Sequence, residues 1–214
     1  MTAANLSPIT KRPAIAFEGM RRIAVGPLAD VARAVKVAEL RGFAGALFIF
    51  DVSTSQPIEL DLRGSIADVL ERLKQSDAAA QLIAESAQES DETSRGPGRP
   101  RLGVIGREVT LLPRHWEWLA SQPGGASAAL RRLVDQARVT FADRDRMRAA
   151  QESAYRFLSA MLSGNEDFDE AARAFFANDR ERFRSITAAW PVDARDHAWA
   201  LADAAFTVKE DASA

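Results

Sequence analysis

The sequence predicts an α+β protein, and three observations carry that expectation. Short apolar runs of strand length are confined to the first third of the chain, a helical repeat of apolar residues dominates from Phe141 onward, and an acidic stretch poor in bulky apolar side chains lies between. Four parts are expected: a small α/β unit over 14–75, a linker with a basic Gly/Pro-rich arm over 76–101, a strand-helix-helix segment over 102–140, and an α-helical region over 141–207.

In the first part, Ala14 to Phe17 and Arg22 to Val25 read as strands. After Gly26-Pro27, Leu28, Val31, Val35 and Leu40 recur at helical spacing. Ala46 to Phe50 is an apolar run ending at Asp51, Ile58 to Leu62 alternates apolar and polar residues, and Ser65 is placed to cap a helix carrying Ile66, Val69, Leu70 and Leu73. The expected order is β-β-α-β-β-α. From Ser76 to Ser94 the chain holds five carboxylates and no basic residue, which predicts a linker, with helix available to part of it.

Beyond Phe141 three helical stripes follow. Met147, Ala150, Ala154, Phe157, Leu158 and Met161 form the first, Phe168, Ala172, Phe175 and Phe176 the second, and Phe183 and Ile186 the third, with breaks at Gly164-Asn165 and Asn178-Asp179. Trp190-Pro191 stops the third helix, and Asp193 or Asp196 can start a last one through Trp199, Leu201 and Phe206.

Composition narrows the function classes. With 214 residues, 47% hydrophobic and 27% charged, the chain can bury a sizeable core. A net charge of -2 means that attraction to nucleic acid would have to come from a local basic patch. The absence of cysteine removes disulfides, thiolate metal sites and a cysteine nucleophile, and suits a reducing compartment. The first twenty residues show no signal-peptide core and no window has the length of a membrane span, so a cytoplasmic location without membrane association is expected.

The central segment holds the candidate chemistry. Arg95, Arg99 and Arg101 sit among glycine and proline, which keeps the backbone extended and the guanidinium groups in solvent. Gly98-Arg99-Pro100 matches the centre of an AT-hook, a minor-groove arm, although Pro97 stands where the second arginine belongs. Val104 to Leu112 is β-branched and alternating, Pro113 fits the first turn of a helix, and Trp116 and Leu119 give that helix an apolar face. Gln122-Pro123-Gly124-Gly125 stops it, and Ser127 is placed to cap a second helix burying Leu130, Leu133, Val134 and Ala137. Of the tryptophans, Trp116 is expected to be buried with Leu112 and Leu119, and Trp118 to be partly exposed.

Over Val104 to Arg138 this order resembles the ribbon-helix-helix fold of Arc- and MetJ-like repressors, in which two chains pair their strands into a ribbon that enters the major groove. The resemblance implies a homodimer, or a strand docked on the N-terminal sheet, and a DNA phosphate held by the helix start at Gly125, Ala126 and Ser127. Arg107 and Arg114 would flank the strand. The strand departs from that pattern in parity: counted back from Leu112, apolar Leu111 and Val109 fall on the steps those repressors use for polar residues. The phrases FEGMRRIAVGPLADVA, LDLRG, GRPRLGVIGREVTLLPRHWEWLASQPGGASAALRRLVDQAR and AWP resemble, over nearly the full length, an uncharacterised bacterial family defined only as a domain of unknown function.

No catalytic constellation emerges. Gly125-Ala126-Ser127 lacks the preceding strand of a nucleophile elbow, His115 and His197 are far apart, and Glu166, Asp167, Asp169 and Glu170 suit a helix N-terminus better than acid–base work. No cofactor, metal or small-molecule ligand is indicated. The expected role is a DNA-associated or regulatory protein using Arg95, Arg99, Arg101, Arg107, Arg114, Gly125 and Ser127. The alternative is a protein-interaction or dimerisation module without nucleic-acid affinity.

Overall fold

A computed structural model describes the backbone of residues 8–92 and 107–210 and the side chains of residues 8–80 and 107–206. The chain forms two compact units, Met1–Ser86 with Arg146–Ala214 and, separately, Ala87–Asp145. The α+β class is observed: one three-stranded sheet and eight α-helices among the described residues.

The first unit is organised by strand β1 (Pro13–Glu18), which lies between β2 (Arg21–Pro27) and β3 (Leu47–Asp51) in an antiparallel sheet of order β2-β1-β3. Alternate residues of a strand face opposite sides, and both sides of β1 are buried. Ala14 and Ala16 pack with Ile49 against Leu28, Val31 and Val35 of helix α1 (Leu28–Leu40). Ile15 and Phe17 point the other way and join Phe50 in a core built largely by the C-terminal helices.

Those helices are α5 (Ala142–Leu162), α6 (Phe168–Phe176), α7 (Arg180–Thr187) and α8 (Val192–Glu210). Phe157 of α5 meets Phe17 at 5.6 Å and Phe50 at 5.5 Å between ring centroids. Phe175, Phe183 and Phe206 form a second aromatic group that locks α6, α7 and α8 together. The stripes expected from periodicity are thus the buried faces, with Phe176 the exception, since it lies exposed beside Tyr155. Asp179 caps α7 by accepting from the N–H of Arg182 at 3.0 Å, and α8 begins at Val192, directly after Pro191.

A polar pin joins the end of β3 to α5. One oxygen of the buried Asp51 carboxylate accepts from the N–H and hydroxyl groups of Ser53 and Thr54, and the other accepts from Arg12 Nε at 2.5 Å. Burial pushes this carboxyl up, but the hydrogen bonds from Ser53, Arg12 and Thr54 outweigh it and hold the group well below the usual carboxylate range. The turn so formed presents Ser55, fully buried, to Ser153 of α5 at 2.9 Å, and Arg156 of α5 donates to the Thr54 carbonyl.

Two expectations need correction. Ile58 to Leu62 is not a strand: one bridge, Phe50 to Pro57, and one bond from Ile58 N–H to the Ile49 carbonyl at 2.8 Å are all the pairing the segment has. Its alternation reflects burial of Ile58, Leu60 and Leu62 against the α1 side of the sheet, without a hydrogen-bonded ladder. The acidic stretch, in turn, is helical. Helix α2 runs unbroken over Ile66–Glu92, capped at its start by reciprocal bonds between Ser65 and Asp68. No glycine or proline interrupts that span, and alanine and glutamate are strong helix formers, so charge alone did not end the helix. Asp77 of this helix receives the N–H and hydroxyl groups of Thr10 at 3.2 and 2.6 Å.

His197 of α8 is 8% exposed and wedged between Phe157, at 4.7 Å, and Phe17, at 6.0 Å. Burial, aided by the charge of Arg22, pushes its pKa down to about 4. Unfolding restores an ordinary value near 6.5, so the unfolded chain binds a proton that the folded chain refuses between these values. Stability is therefore complete above pH 6.5 and falls as pH drops towards 4, by about 3 kcal/mol in all from this group. Urea midpoints compared at pH 7 and near pH 4.5 will show a smaller acid loss in His197→Phe than in the parent. Phe17→Ala, which empties the contact between the sheet and α5, will lower stability by about 3–5 kcal/mol in the same assay.

Candidate functional site

The second unit contains the segment expected to bind. Arg107 to Leu112 runs extended and exposed into helix α3 (Pro113–Ala120), with Leu112 at φ -66° and ψ 149° and Pro113 in the first helical position. Proline fits there because its missing N–H would have no partner in that turn anyway, while the N–H groups of His115 and Trp116 bond back to the Leu112 carbonyl at 2.8 and 3.3 Å. The chain turns at Ser121 to Gly124, where Gly124 takes φ +83°, a conformation that a side chain would strain. Helix α4 (Gly125–Thr140) follows.

Arg95, Arg99 and Arg101 lie outside the described residues. Arg107 and Arg114 are both exposed, the first in the extended segment and the second in the opening turn of α3. Gly125, at φ +73°, and Ser127 lie together in the first turn of α4. Ser127 is not a cap: the capping position is Gly124, and no side chain bonds to the free N–H groups there. Among the described residues the strand of the ribbon does not form, because Arg107 to Leu112 pairs with no other segment. The ribbon-helix-helix likeness is therefore reduced to two helices joined by a glycine turn.

Packing inside this unit is thin. Helices α3 and α4 bury only Leu119 and Ala129 between them among their described residues. Trp116, expected in the interior, is 42% exposed, and Leu112 and Trp118 are about half exposed. Along α4, Leu133 and Val134 are exposed at 42% and 55%, and Phe141 just beyond the helix is exposed with the Arg144 guanidinium over its ring at 4.4 Å. Arg131 and Arg138 border this apolar stripe, and Arg132 turns back to the Pro123 carbonyl at 3.1 Å. Periodicity marked Leu130, Leu133, Val134 and Ala137 as one face. What it could not reveal is that the chain itself leaves that face open.

The first unit offers less. One cleft, about 570 Å³, is lined by Glu18, Arg21, Arg41 and Gly42 among others. The Glu18 carboxylate there accepts from the Ala44 N–H at 2.6 Å and pairs with Arg21, and these partners hold it below its ordinary value. His115 is exposed on α3, while His197 is enclosed in the aromatic core of the first unit. Glu170 pairs with Arg182 at 2.8 Å and ties α6 to α7, and Asp167 precedes α6, its carbonyl accepting from the Ala171 N–H at 2.9 Å while its side chain makes no cap. Among the described residues no group of three or more His, Asp or Glu side chains is placed to hold a metal ion. None of their helices is long and apolar enough to cross a membrane.

A family model described as an uncharacterised protein conserved in bacteria, DUF2239, matches residues 13–202. The chain belongs to DUF2239. That span takes in β1 and its sheet, the two-helix element and all but the end of α8, so both units belong to the family's common chain. No match is found among curated proteins or among solved structures.

The position of Ser127 yields a direct check. A capping serine changed to alanine costs about 1 kcal/mol of helix stability. Because Gly124 holds the cap, Ser127→Ala will leave the thermal midpoint and the far-ultraviolet circular dichroism of the chain unchanged. Gly124→Ala will lower the midpoint.

Proposed function

We propose that this DUF2239 protein works as a protein-interaction module, with α3 and α4 forming the docking element. One observation carries the proposal: Trp116 of α3 and Leu133 and Val134 of α4, expected in the interior, stay exposed, as do Leu112 and Phe141 at the ends of the two helices. Along α4 the exposed Leu133 and Val134 share one face, and apolar side chains grouped in this way mark a surface that another protein covers. Aromatic residues beside arginines are also the composition favoured at such interfaces.

A DNA-associated role draws on Arg107, Arg114 and the start of α4 at Gly125 to Ser127, where the Gly125 N–H already donates to the Gln122 carbonyl at 3.0 Å. Basic residues and a helix start attract phosphates, but they do not account for an apolar stripe along α4. Grooves of DNA are lined by polar edges and phosphates, against which Leu133 and Val134 would gain little.

A photoreactive phenylalanine analogue placed at Trp116 or Val134 in the full chain tests the proposal inside the expressing cell. Both positions will yield crosslinked protein species on irradiation, whereas the same analogue at exposed Glu152 on α5 will not. Crosslinks equally weak at all three positions would contradict it.

A further inference from the structure

We propose that the partner covering this face is a second copy of the same chain, paired through α4 in antiparallel fashion about a two-fold axis between Leu133 and Val134. The inference rests on the docking role assigned to α3 and α4 and identifies its occupant.

Geometry comes first. At 100° per residue, Ala126, Leu130, Leu133, Val134, Ala137 and Phe141 fall within a stripe about 100° wide, the width of a helix-packing face. None of the six is fully buried. An antiparallel two-fold at the centre of this stripe sets Leu133 against Val134 of the partner subunit. It also sets Leu130 against the partner's Ala137 and Ala126 against the partner's Phe141. In the two outer pairs a large side chain meets an alanine, while the central pair sets Leu against Val, and small residues opposite large ones let two helices interdigitate without overpacking or voids. An isologous contact repeats every such pair twice, so a short stripe suffices.

Area supports the same occupant. The exposed parts of the α4 stripe, Leu133 at 42%, Val134 at 55% and Phe141 at 41%, are each buried twice in an isologous contact, so a short stripe goes further towards the about 800 Å² per partner of a stable interface than it would against an unrelated surface. A two-helix element that buries only Leu119 and Ala129 among its described residues also lacks a core of its own, a deficit that pairing removes.

Charge gives the contact a distinctive salt response. Arg131, Asp135 and Arg138 lie on the same border of the stripe, so in the antiparallel pair two arginines of one chain face those of the partner subunit with one carboxylate per chain between them, a border of net positive charge. Repulsion between these guanidinium groups weakens as ionic strength rises, while the apolar contact does not. Pairing will therefore tighten with added salt, whereas binding to phosphates would loosen.

Sedimentation equilibrium of the full chain over low to high micromolar concentrations, at two salt concentrations, tests the proposal. The chain will dimerise, more tightly at the higher salt, and Leu133→Asp will weaken the dimer at least tenfold. Ala126→Phe alone will also weaken it by crowding the partner's Phe141. Combining Ala126→Phe with Phe141→Ala will restore it, a rescue that survives even if Leu133→Asp misfolds. Failure of the size swap to restore pairing would overturn the register. A chain that stays monomeric throughout would overturn the self-partner, and maleimide labelling of Val134→Cys then separates the two levels, since the chain has no other thiol. Fast labelling of the monomer leaves the docking role standing with a different partner. Slow labelling means that the chain covers its own stripe, and both proposals fall.

Discussion

Burial of β1 on both faces is the constraint on which the first unit depends. A strand enclosed on two sides favours apolar residues on both faces, and Ala14, Ile15, Ala16 and Phe17 satisfy that in sequence, while buried Glu18 at the strand's end is held by the Ala44 N–H and Arg21. Size then divides the labour between the faces. The alanines let α1 approach closely, while Ile15 and Phe17 reach into the space shared by the C-terminal helices. A small sheet gains stability from an apolar face packed on helices, and here both faces are so covered. The arrangement also joins segments more than a hundred residues apart, and the pin from Asp51 through Ser55 to Ser153 reinforces the junction with directed bonds.

Much of this was legible in the residues. Short strand-like runs located β1, β2 and β3, proline and glycine marked the start of α1 and the stop of α3, and most of the apolar stripes of α5 to α7 became buried faces. Two failures share a cause. Ile58 to Leu62 alternates because one side is buried, and burial produces the same pattern with or without strand pairing. The carboxylates of α2 suggested a linker only partly helical, yet a capped, alanine-rich helix tolerates charge as long as nothing in it breaks the backbone bonds, and the helix runs to Glu92. Association of the C-terminal helices with the N-terminal sheet was not legible, since periodicity shows that a face is buried without naming what buries it.

The same limit governs the two-helix element. Trp116 and Leu112 carry the signature of interior residues and lie exposed, which is what a face completed by another molecule looks like from one chain alone. Pro113, Gly124 and Gly125 shape the helix-turn-helix path, so the element is specified locally, while its stability depends on what covers it. Of the residues expected to act together, Gly125 and Ser127 share one turn, Arg107 and Arg114 flank the start of α3, and nothing in their placement assembles a phosphate cradle beyond the open helix end. Conformational specification in the first unit comes from a shared aromatic core, and in the second from turn chemistry with little core at all. The two units therefore differ in how far a single chain can complete them.

Hydrogen–deuterium exchange of the full chain at low and high protein concentration measures that difference most directly. The account predicts slow exchange in β1 and α5 at both concentrations, together with protection of residues 113–141 that rises as the chain is concentrated. Protection of residues 113–141 that is already high in dilute solution and does not change with concentration would contradict it.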